Sequence, residues 1–489
     1  MRGADPTSGA NLHKIIDTIF SAAAQNAYAP AICSAKPVFT YADVAATVQS
    51  IWEVLDREQP SRLAQTFINI QDTDLRGIAA IAALHWGLVP LLIPTPRMFP
   101  VRPRIDFVIG ADALLDDTQS PRVRVARKLA GVRPLNTETN ERHPRGEDEP
   151  YLIGVTSGTT GVPKLIGYTR GAMDRRGALA EELQFAPGER VMSTIGQNNS
   201  YGFVHAYRVL EQGACVVRSE QNVLVTLKII NTYGVTSLHT TPPRALSYAD
   251  AMLRHGIRCP SVSGVTLTGS LFSASQLQRI ENAFPGARIR VVYGSSETGG
   301  MAMGEVSSSG FEAGYVGTIR PGVKLVQQDG ARGEPAELAF INDGNLLGSE
   351  VSPDGSISAP AEAYTLPDTG SVRDGRIYLA GRKDEVANIG GTKLSFHRIE
   401  DELRQFPEIL DVGIANAPTA SNPARLVVAL VFGAQDAAHD LDSLRDTVFR
   451  KFSAAKAAAT CVTMLRTDSI PRNDMGKLDR KALLGLAGG

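Results

Sequence analysis

The sequence is poor in cysteine and has no excess of either charge. Its 489 residues include four cysteines, far apart and without a C-x-x-C pair, and eight histidines without metal-ligand spacing. This pattern favours reduced, packed thiols over a disulfide framework or a zinc site. Lysine and arginine number 50 against 51 aspartates and glutamates, which gives a formal net charge of -1. Because a near-neutral chain has no basic face to offset phosphate, we expect neither a nucleic-acid nor a membrane partner.

Long apolar segments are also missing. The first residues, MRGADPTSGANLHK, have no apolar core of the kind that a signal peptide needs. The most apolar run, GIAAIAALHWGLVPLLIPT at 77–95, is interrupted by His85, Gly87 and Pro90. Such a run predicts a buried helix that leads into a strand, and not a membrane span. We therefore expect a cytoplasmic protein.

Strand-like and helix-like segments alternate through the first part of the chain. Helical spacing of apolar residues at 41–55, and short apolar strands such as ACVV and IRVVYG, favour parallel α/β sheets. Residues 310–374 have short apolar runs separated by Gly, Pro and Asp, which predict a small β-rich subdomain. A separate small α/β pattern follows GRKDE. The sequence thus predicts a large N-terminal domain of layered α/β sheets, residues 1–381, and a small α/β C-terminal domain, residues 382–489.

The stretch GVTSGTTGVPKLIGYTR, residues 154–170, combines glycines and hydroxylated residues and has little to bury. Glycines let a backbone direct several N–H groups at one anion, so this stretch is a candidate phosphate-binding loop. It is not a P-loop, because Gly158 and Gly161 are too close together and Lys164 is followed by Leu165. Taken alone, it could equally be a flexible surface loop.

Four further stretches follow this loop in order. They are YGSSETGG (293–300), LPDTGSVRDGRIYLAGRKDE (366–385), ANIGGTKLSFHRIE (387–400) and PRNDMGKLDRKAL (471–483). Together with TSGTTGVPK they resemble the adenylate-forming superfamily of acyl- and aryl-CoA synthetases, nonribosomal peptide synthetase adenylation domains and firefly-type luciferases. The resemblance covers almost the whole chain. It implies an AMP-forming acid–thiol ligase, which couples a carboxylate to the α-phosphate of ATP with Mg2+ and passes the acyl group to a thiol.

The resemblance assigns one set of residues to ATP. The residues that would bind its phosphates, adenine and ribose are Thr156, Ser157, Gly158, Thr159, Thr160, Gly161, Lys164, Gly269, Ser270, Tyr293, Gly294, Asp368 and Arg382. In this assignment the hydroxylated loop wraps the β- and γ-phosphates, Tyr293 stacks on adenine, and Asp368 accepts from both ribose hydroxyls. Ser296 would hydrogen-bond the α-phosphate, and Glu297 would help to hold Mg2+, a cation that prefers oxygen ligands. The family's usual Thr-Gly before this aspartate reads Leu366-Pro367 here.

The same resemblance makes Lys477 the central catalytic residue, beside Ser296 and Glu297. Lys477 lies on a glycine-containing loop of the C-terminal domain, which the resemblance implies is mobile. Its compact ammonium would swing in and bridge the carboxylate and the α-phosphate. Asp384 stands at the position of the hinge about which this domain rotates, while the N-terminal domain would bind ATP and the acid.

The acyl acceptor is less well defined by the motifs. Gly390 and Gly391 would leave room for a pantetheine arm to pass the backbone. The family's usual Pro and acidic residue near this motif's end are replaced by Phe396 and Arg398. The acceptor therefore stays open between coenzyme A and the phosphopantetheine of an acyl or peptidyl carrier protein, and GKLDRKAL favours the carrier-loading branch.

One departure from the family pattern, at residue 199, indicates which class of acid the protein activates. Asn199 stands where domains that activate α-amino acids have an Asp that pairs with the substrate ammonium. We therefore predict an acid without an α-ammonium: aryl, β-amino or short aliphatic. The other predicted pocket positions are Ser200, Phe203, Thr240, Thr266, Thr268, Val292, Gly300 and Met301. Their three threonines indicate a partly polar pocket of modest size and not a long fatty-acyl tunnel.

Three alternatives belong beside this prediction. The chain could be an adenylation domain that activates an α-amino acid, a nucleotide-binding pseudoenzyme, or a luciferase-like oxygenase with a special substrate. A pseudoenzyme predicts the loss of Lys477, Glu297 or Asp368, and all three are present.

Overall fold

The chain is described here by a computed structural model. It covers residues 14–35, 38–93, 95–96, 99, 103–110, 122–124, 145–157, 163–196, 200–327, 336–341, 348–352, 354–357, 363–389, 392–406, 408–417, 425–433, 440–472 and 478–487. The α-helices are α1 (Lys14–Gln25), α2 (Tyr41–Glu58), α3 (Thr73–Trp86), α4 (Arg170–Leu179), α5 (Ser200–Glu211), α6 (Val223–Tyr233), α7 (Pro242–His255), α8 (Ala274–Ala283), α9 (Phe396–Leu403), α10 (Leu441–Arg450), α11 (Ala455–Cys461) and α12 (Arg480–Leu486). None of these helices has the length and apolar character needed to cross a bilayer.

Within the described residues, the strands belong to four sheets. In chain order they are β1 (Pro30–Cys33), β2 (Phe39–Thr40), β3 (Gln65–Asn69), β4 (Val89–Leu92), β5 (Phe107–Gly110), β6 (Arg122–Arg124), β7 (Pro150–Ser157), β8 (Pro163–Thr169), β9 (Arg190–Ser193), β10 (Cys215–Arg218), β11 (Ser237–Thr240), β12 (Gly264–Thr268), β13 (Arg288–Ser295), β14 (Gly299–Glu305), β15 (Tyr315–Ile319), β16 (Lys324–Gln327), β17 (Ala336–Ile341), β18 (Ser349–Glu350), β19 (Ala363–Arg373), β20 (Arg376–Arg382), β21 (Val386–Ile389), β22 (Thr392–Ser395), β23 (Ile409–Ala417), β24 (Arg425–Phe432) and β25 (Val462–Arg466).

Thirteen strands form the largest sheet, in the order β16-β17-β19-β20-β15-β14-β13-β12-β11-β9-β10-β1-β2. Its centre is parallel, from β1 through β10, β9, β11 and β12 to β13. From β13 outward, β14, β15, β20, β19, β17 and β16 add in antiparallel pairs. The predicted β-rich region thus continues the parallel sheet, and the predicted α/β class is confirmed.

A second sheet has seven strands, in the order β18-β8-β7-β4-β3-β5-β6. Helices α3 and α5 lie in one apolar cluster with residues of both sheets, such as Ile68 of β3 and Val216 of β10. These helices therefore separate two sheet layers, which is the layered arrangement that the alternating pattern predicts.

Local sequence explains why the helices begin and end where they do. The Thr40 side chain accepts from the backbone N–H of Asp43, whose carboxylate accepts from the Thr40 N–H, so a capping box starts α2. Asp72 caps the first turn of α3, and Gly87, at φ 114°, ends it in the left-handed region that favours glycine. The apolar run at 77–95 then enters β4, so the prediction of a buried helix followed by a strand is confirmed.

The C-terminal part consists of the hairpin β21–β22, the three-stranded sheet β23-β24-β25 and helices α9 to α12. Within the described ranges, its main apolar cluster runs from Ala387 to Val462 and takes in no residue before Ala387. At the junction, a guanidinium nitrogen of Arg480 lies 2.6 Å from a carboxylate oxygen of Glu385. The domain boundary at 381–382 stays a prediction.

Candidate functional site

The edge where parallel strands end carries the predicted adenylation residues. Thr268 at the end of β12 pairs in register with Val292 of β13, so Gly269 and Tyr293 follow at the same edge. Gly269 has φ +91°, in the region that favours glycine, and Ser270 after it is exposed. Loops beyond the carboxyl ends of parallel strands are the usual ligand sites of such sheets.

The chain then reverses through the Ser296 turn, residues 295–299, which joins β13 to β14. Ser295 and Thr298 brace this turn, with their side-chain oxygens 3.0 Å apart and each accepting from the other's backbone N–H. A Cβ atom on Gly294 would lie 2.0 Å from the Gly299 carbonyl oxygen, so no larger residue fits there. The turn is therefore a tight, internally bonded loop that presents Ser296 and Glu297.

Two residues that the motifs did not single out hold the Ser296 turn from below. The Tyr168 hydroxyl of β8 donates to the Ser296 carbonyl oxygen at 2.9 Å, and Arg176 of α4 donates to the same oxygen at 2.7 Å. The Arg176 guanidinium also lies 4.6 Å from the Tyr168 ring centroid. A cation over an aromatic face gains electrostatic stabilisation, so the pair forms one support. We call it the Tyr168–Arg176 support.

Tyr293 and Asp368, 75 residues apart, meet directly. The Tyr293 hydroxyl donates to Asp368 Oδ2 at 2.8 Å. Burial, and then the neighbouring Asp368 carboxylate, raise the pKa of Tyr293, so its hydroxyl remains a donor. Asp368 of β19 pairs in register with Arg382 of β20, which brings the predicted ribose-side residues together with the predicted adenine-side residue.

Glu297 is half-buried beside this pair. Its backbone carbonyl accepts from the Gly348 N–H at 2.7 Å, and its carboxylate contributes, after burial, to the raised pKa of Tyr364. No group of three or more metal-ligand side chains occurs among the residues that the structure describes. A single carboxylate beside a phosphate site fits Mg2+, because proteins commonly hold this ion through one or two carboxylates plus the phosphates of the substrate.

The predicted phosphate loop sits on a hairpin. Thr156 of β7 pairs in register with Lys164 of β8, and Ser157 pairs with Pro163. Lys164 is exposed, with its ammonium 3.8 Å from the Glu350 carboxylate. Between the two strands, Gly158, Thr159, Thr160 and Gly161 lie outside the described residues.

Two of the predicted pocket residues, Ser200 and Phe203, lie in the first turn of α5, and the others that the structure describes lie on several strands. Ser200 begins α5 with its hydroxyl 2.9 Å from that of Tyr168, and Asn199 lies outside the described residues. Phe203 packs between the two sheets, against α3 and β4. It therefore faces away from the strands that carry the threonines.

The strand register shows which face of the large sheet each predicted threonine side chain is on. Thr266 pairs with His239 of β11, whereas Thr240 pairs with Leu267 and turns to the opposite face, where its hydroxyl lies 2.8 Å from that of Thr194. Thr268, two residues after Thr266, faces the same side as His239. In β14, Met301 is buried, and a Cβ atom on Gly300 would lie 3.2 Å from Arg320.

The His239 face contains a buried ring cluster that sequence patterns did not single out. His205 and His239 lie with ring centroids 4.4 Å apart, and Phe185 meets both edge-on at 5.6 and 5.7 Å. Tyr201, one helical turn before His205, adds a fourth ring at 6.3 Å. The i, i+4 spacing of Tyr201 and His205 was the one sequence signal available for a shared helix face.

Three polar atoms of this cluster lack partners in the described part of the chain: His205 Nε2, His239 Nδ1 and the Tyr201 hydroxyl. A buried polar atom left unpaired costs about 1–3 kcal/mol. Burial lowers the pKa of His205 to about 3. Burial, then His205 and Arg290, lower the pKa of His239. Both imidazoles are therefore neutral at physiological pH.

Two further predicted residues, Arg382 and Asp384, lie at the C-terminal junction. Arg382 ends β20 with Nε 3.7 Å from the Glu385 carboxylate, and Asp384 lies in the short 3-10 helix Lys383–Glu385. Gly390 and Gly391, between β21 and β22, and Lys477 lie outside the described residues. The described chain resumes at Leu478, which bridges to Arg472.

Comparison with known proteins gives a family match over half of the chain. A family model described as AMP-binding enzyme matches residues 100–348. The chain is 26% identical over 376 residues to the medium/long-chain-fatty-acid–[acyl-carrier-protein] ligase FadD10 of Mycobacterium tuberculosis, covering 70% of this chain and 67% of that protein. It is 24% identical over 357 residues to an L-proline–[L-prolyl-carrier protein] ligase of Pseudomonas fluorescens, covering 69% and 68%. It is 23% identical over 368 residues to a 4-chlorobenzoate–CoA ligase of an Arthrobacter species, covering 70% and 66%.

Solved structures share the fold over nearly the whole chain. Klebsiella oxytoca NpsA in complex with 3-hydroxyanthranilyl-AMSN superposes with a TM-score of 0.76 at 17% identity, covering 97% of this chain and 99% of that one. The o-succinylbenzoate CoA synthetase MenE of Bacillus subtilis, in complex with its acyl-adenylate intermediate, has a TM-score of 0.73 at 18% identity, covering 95% and 97%.

Proposed function

Because the chain belongs to the AMP-binding enzyme family and is an AMP-forming acid–thiol ligase, we propose that it activates its acid at the Ser296 turn. In the first step a carboxylate oxygen attacks the α-phosphorus of ATP, the bond to the β-phosphate oxygen breaks, and pyrophosphate leaves. In the second step a thiolate attacks the acyl carbonyl of the acyl-AMP, and AMP leaves as the thioester forms. The observation that carries the proposal is the Tyr293–Asp368 contact beside Ser296 and Glu297.

The nucleoside end of ATP would bind first to this pair. Tyr293 offers a ring face for adenine, and Asp368 offers carboxylate oxygens to the ribose hydroxyls, with Arg382 opposite it in the next strand. Thr156 and Lys164 at the stem of the phosphate loop would direct it towards the β- and γ-phosphates. Backbone N–H groups in such loops suit anions because they need no charge of their own.

Charge at the reacting phosphorus would be balanced by three groups. Ser296 would donate a hydrogen bond to the α-phosphate, and Glu297 would help to hold Mg2+, which would supply positive charge for the departing pyrophosphate. Lys477 would bridge the carboxylate and the α-phosphate when the C-terminal domain turns about Asp384. Electrostatic stabilisation of this kind acts on the charge that develops in the transition state.

The acid in this proposal has no α-ammonium group, because Asn199 offers a neutral amide where an aspartate would be needed. Related ligases include one named for fatty acids, one for proline and one for 4-chlorobenzoate, so relatedness leaves the acid class open. For the acceptor we propose a carrier protein, since GKLDRKAL favours it and two of these relatives are named as carrier-protein ligases. Gly390 and Gly391 would line the path of its pantetheine arm.

The test is acid-dependent exchange between ATP and labelled pyrophosphate, across aryl, β-amino, short aliphatic and α-amino acids. Lys477→Ala should abolish most of the exchange yet still transfer the acyl group from supplied acyl-AMP to a thiol. Lys481→Ala, on the exposed side of α12, is the matched control and should leave both steps unchanged. Normal exchange by Lys477→Ala would contradict the assigned role. Exchange with an α-amino acid alone would contradict the Asn199 argument, and silence with every acid, with ATP bound, would favour a pseudoenzyme.

A further inference from the structure

We propose that Tyr201, His205 and His239 form the polar floor of the acid pocket and select an aromatic acid that carries an uncharged hydroxyl or amino group on its ring. The inference rests on the proposed function, because it names the substrate class of that same site. These three residues are called the histidine floor below.

The histidine floor lies beneath the adenylation edge, on the face of the large sheet that also carries Thr266 and Thr268. His239 pairs in register with Thr266, two residues before the end of β12 at Thr268. Since a strand rises about 3.3 Å per residue, His239 lies about 7 Å below that edge. The far end of a ring acid whose carboxylate faces the Ser296 turn would therefore reach this depth.

The walls at this depth are aromatic. The two imidazoles meet at 63° with centroids 4.4 Å apart, and Phe185 stands edge-on to both. Tyr201 lies on the same face of α5 as His205. Planar rings packed edge to face offer a planar ligand the same favourable contacts that they make with one another.

The unpartnered atoms point to hydrogen bonding with the ligand. His205 Nε2, His239 Nδ1 and the Tyr201 hydroxyl are buried without partners among the described residues. Buried polar atoms are normally paired, so three exceptions within one cluster call for a reason. His85, buried elsewhere, has one ring nitrogen, Nε2, at 2.8 Å from the Tyr207 hydroxyl.

The hydrogen-bonding chemistry of these three groups indicates which substituent on the ring they can bind. A neutral imidazole offers one donor and one acceptor, and a tyrosine hydroxyl can do both. A ring hydroxyl or amino group matches them, because each can donate and accept. Arg320, beside Gly300, is matched by its buried ion pair with Glu182, and Arg290, which pairs in register with Thr266, adds a positive charge near His239. A cationic group on the acid would therefore be repelled, and a neutral hydroxyl or amino group would not.

The experiment compares exchange rates for benzoate with those for its hydroxy and amino derivatives. Wild-type protein should favour at least one substituted acid by roughly 10- to 100-fold, since a site built to hydrogen-bond a substituent discriminates strongly against its absence. His205→Leu and His239→Leu should reduce this preference to near one, because exchange with the substituted acids should fall towards the rate with benzoate. His205→Gln and His239→Asn, which keep an amide near the lost nitrogen, should restore part of the preference.

His85→Leu is the matched control, because it removes a buried histidine that has a partner. It should lower the melting temperature and leave the acid preference unchanged, whereas the two floor variants to Leu should keep or raise the melting temperature. Equal exchange with benzoate and all its derivatives, or a preference that survives both Leu variants, would overturn the histidine-floor assignment and leave the proposed function standing. Exchange confined to non-aromatic acids would do the same. Failure with every acid would instead contradict the proposed function, and the floor assignment with it.

Discussion

Replacing Tyr168 by Phe tests whether the Tyr168–Arg176 support contributes to catalysis. The substitution removes only the hydroxyl, which lies 2.9 Å from both the Ser296 carbonyl oxygen and the Ser200 hydroxyl. Its single proton goes to the carbonyl, which can only accept, so the hydroxyl can accept in turn from Ser200. The ring remains beneath the Arg176 guanidinium.

The expected magnitude follows from these contacts. One net hydrogen bond is worth about 1 kcal/mol, and leaving the buried Ser200 hydroxyl unpaired adds about 1–2 kcal/mol, so the free energy of unfolding should fall by about 2–3 kcal/mol. Arg176 still binds the Ser296 carbonyl, so the turn should loosen without collapsing. We expect pyrophosphate exchange at saturating ATP to slow by about five- to tenfold, which corresponds to about 1 kcal/mol in the barrier.

Tyr248→Phe is the control for this measurement. Tyr248 is also fully buried, its hydroxyl accepts from Arg244 Nε at 3.0 Å, and the Arg244 guanidinium lies 5.2 Å from its ring centroid. The same chemistry is thus present away from the Ser296 turn. Urea denaturation should show a loss of stability in both variants, and exchange should slow only in Tyr168→Phe. An unchanged exchange rate in Tyr168→Phe, or an equal loss in Tyr248→Phe, would refute the positioning role.

Two further predictions concern the nucleotide and the pH dependence of stability. Asp368→Asn should raise the KM for ATP by roughly tenfold or more, because an amide has only one oxygen to accept from Tyr293 and from the two ribose hydroxyls. Asp374→Asn, in the turn of the same hairpin, is the control and should leave this KM unchanged. An equal rise in KM in both variants would count against ribose binding by Asp368. The pKa of His205 is lowered by burial to about 3 from an ordinary value of 6.5, so below pH 6.5 the unfolded chain binds a proton that the folded chain does not. The free energy of unfolding should therefore fall by about 1.4 kcal/mol per pH unit on this account as the pH drops from about 6.5 towards 3. In the His205→Leu variant, the free energy of unfolding, measured by urea denaturation at several pH values, should lack this contribution to its pH dependence. An unchanged pH dependence would show that His205 is not buried as described.

Local sequence was sufficient to predict the helices whose ends are set by neighbouring residues. The capping box at Thr40 and the glycine at Gly87 lie within a few residues of the helices they bound, so spacing alone predicts those helices. The residues at the carboxyl ends of the parallel strands, such as Tyr293, were predicted only because the order of the motifs resembles that of a known family. No spacing rule links Tyr293 to Asp368, which are 75 residues apart and belong to strands four places apart in the order of the large sheet.

Long-range contacts explain what the sequence could not predict. Arg176 is one of two consecutive arginines, and its role depends on the approach of α4 to a turn 120 residues later. Phe203, a predicted pocket residue, packs between the two sheets against α3 and β4, while Tyr201 and His205 face the large sheet. The helical spacing of Phe203, Tyr207 and Leu210 is enough to predict the face that packs on α3, but it does not identify what the opposite face contacts.

The continuity of the large sheet has a consequence for how such a protein can diversify. Tyr293 and Asp368 belong to strands of one hydrogen-bonded sheet, so their spacing is fixed by a frame that ends at Arg382. The segment beyond Arg382 can change in sequence, or be exchanged for that of a relative, without altering this frame. On the proposed function, the contact with the nucleoside can therefore stay unchanged while the segment that would meet the acyl acceptor varies in sequence.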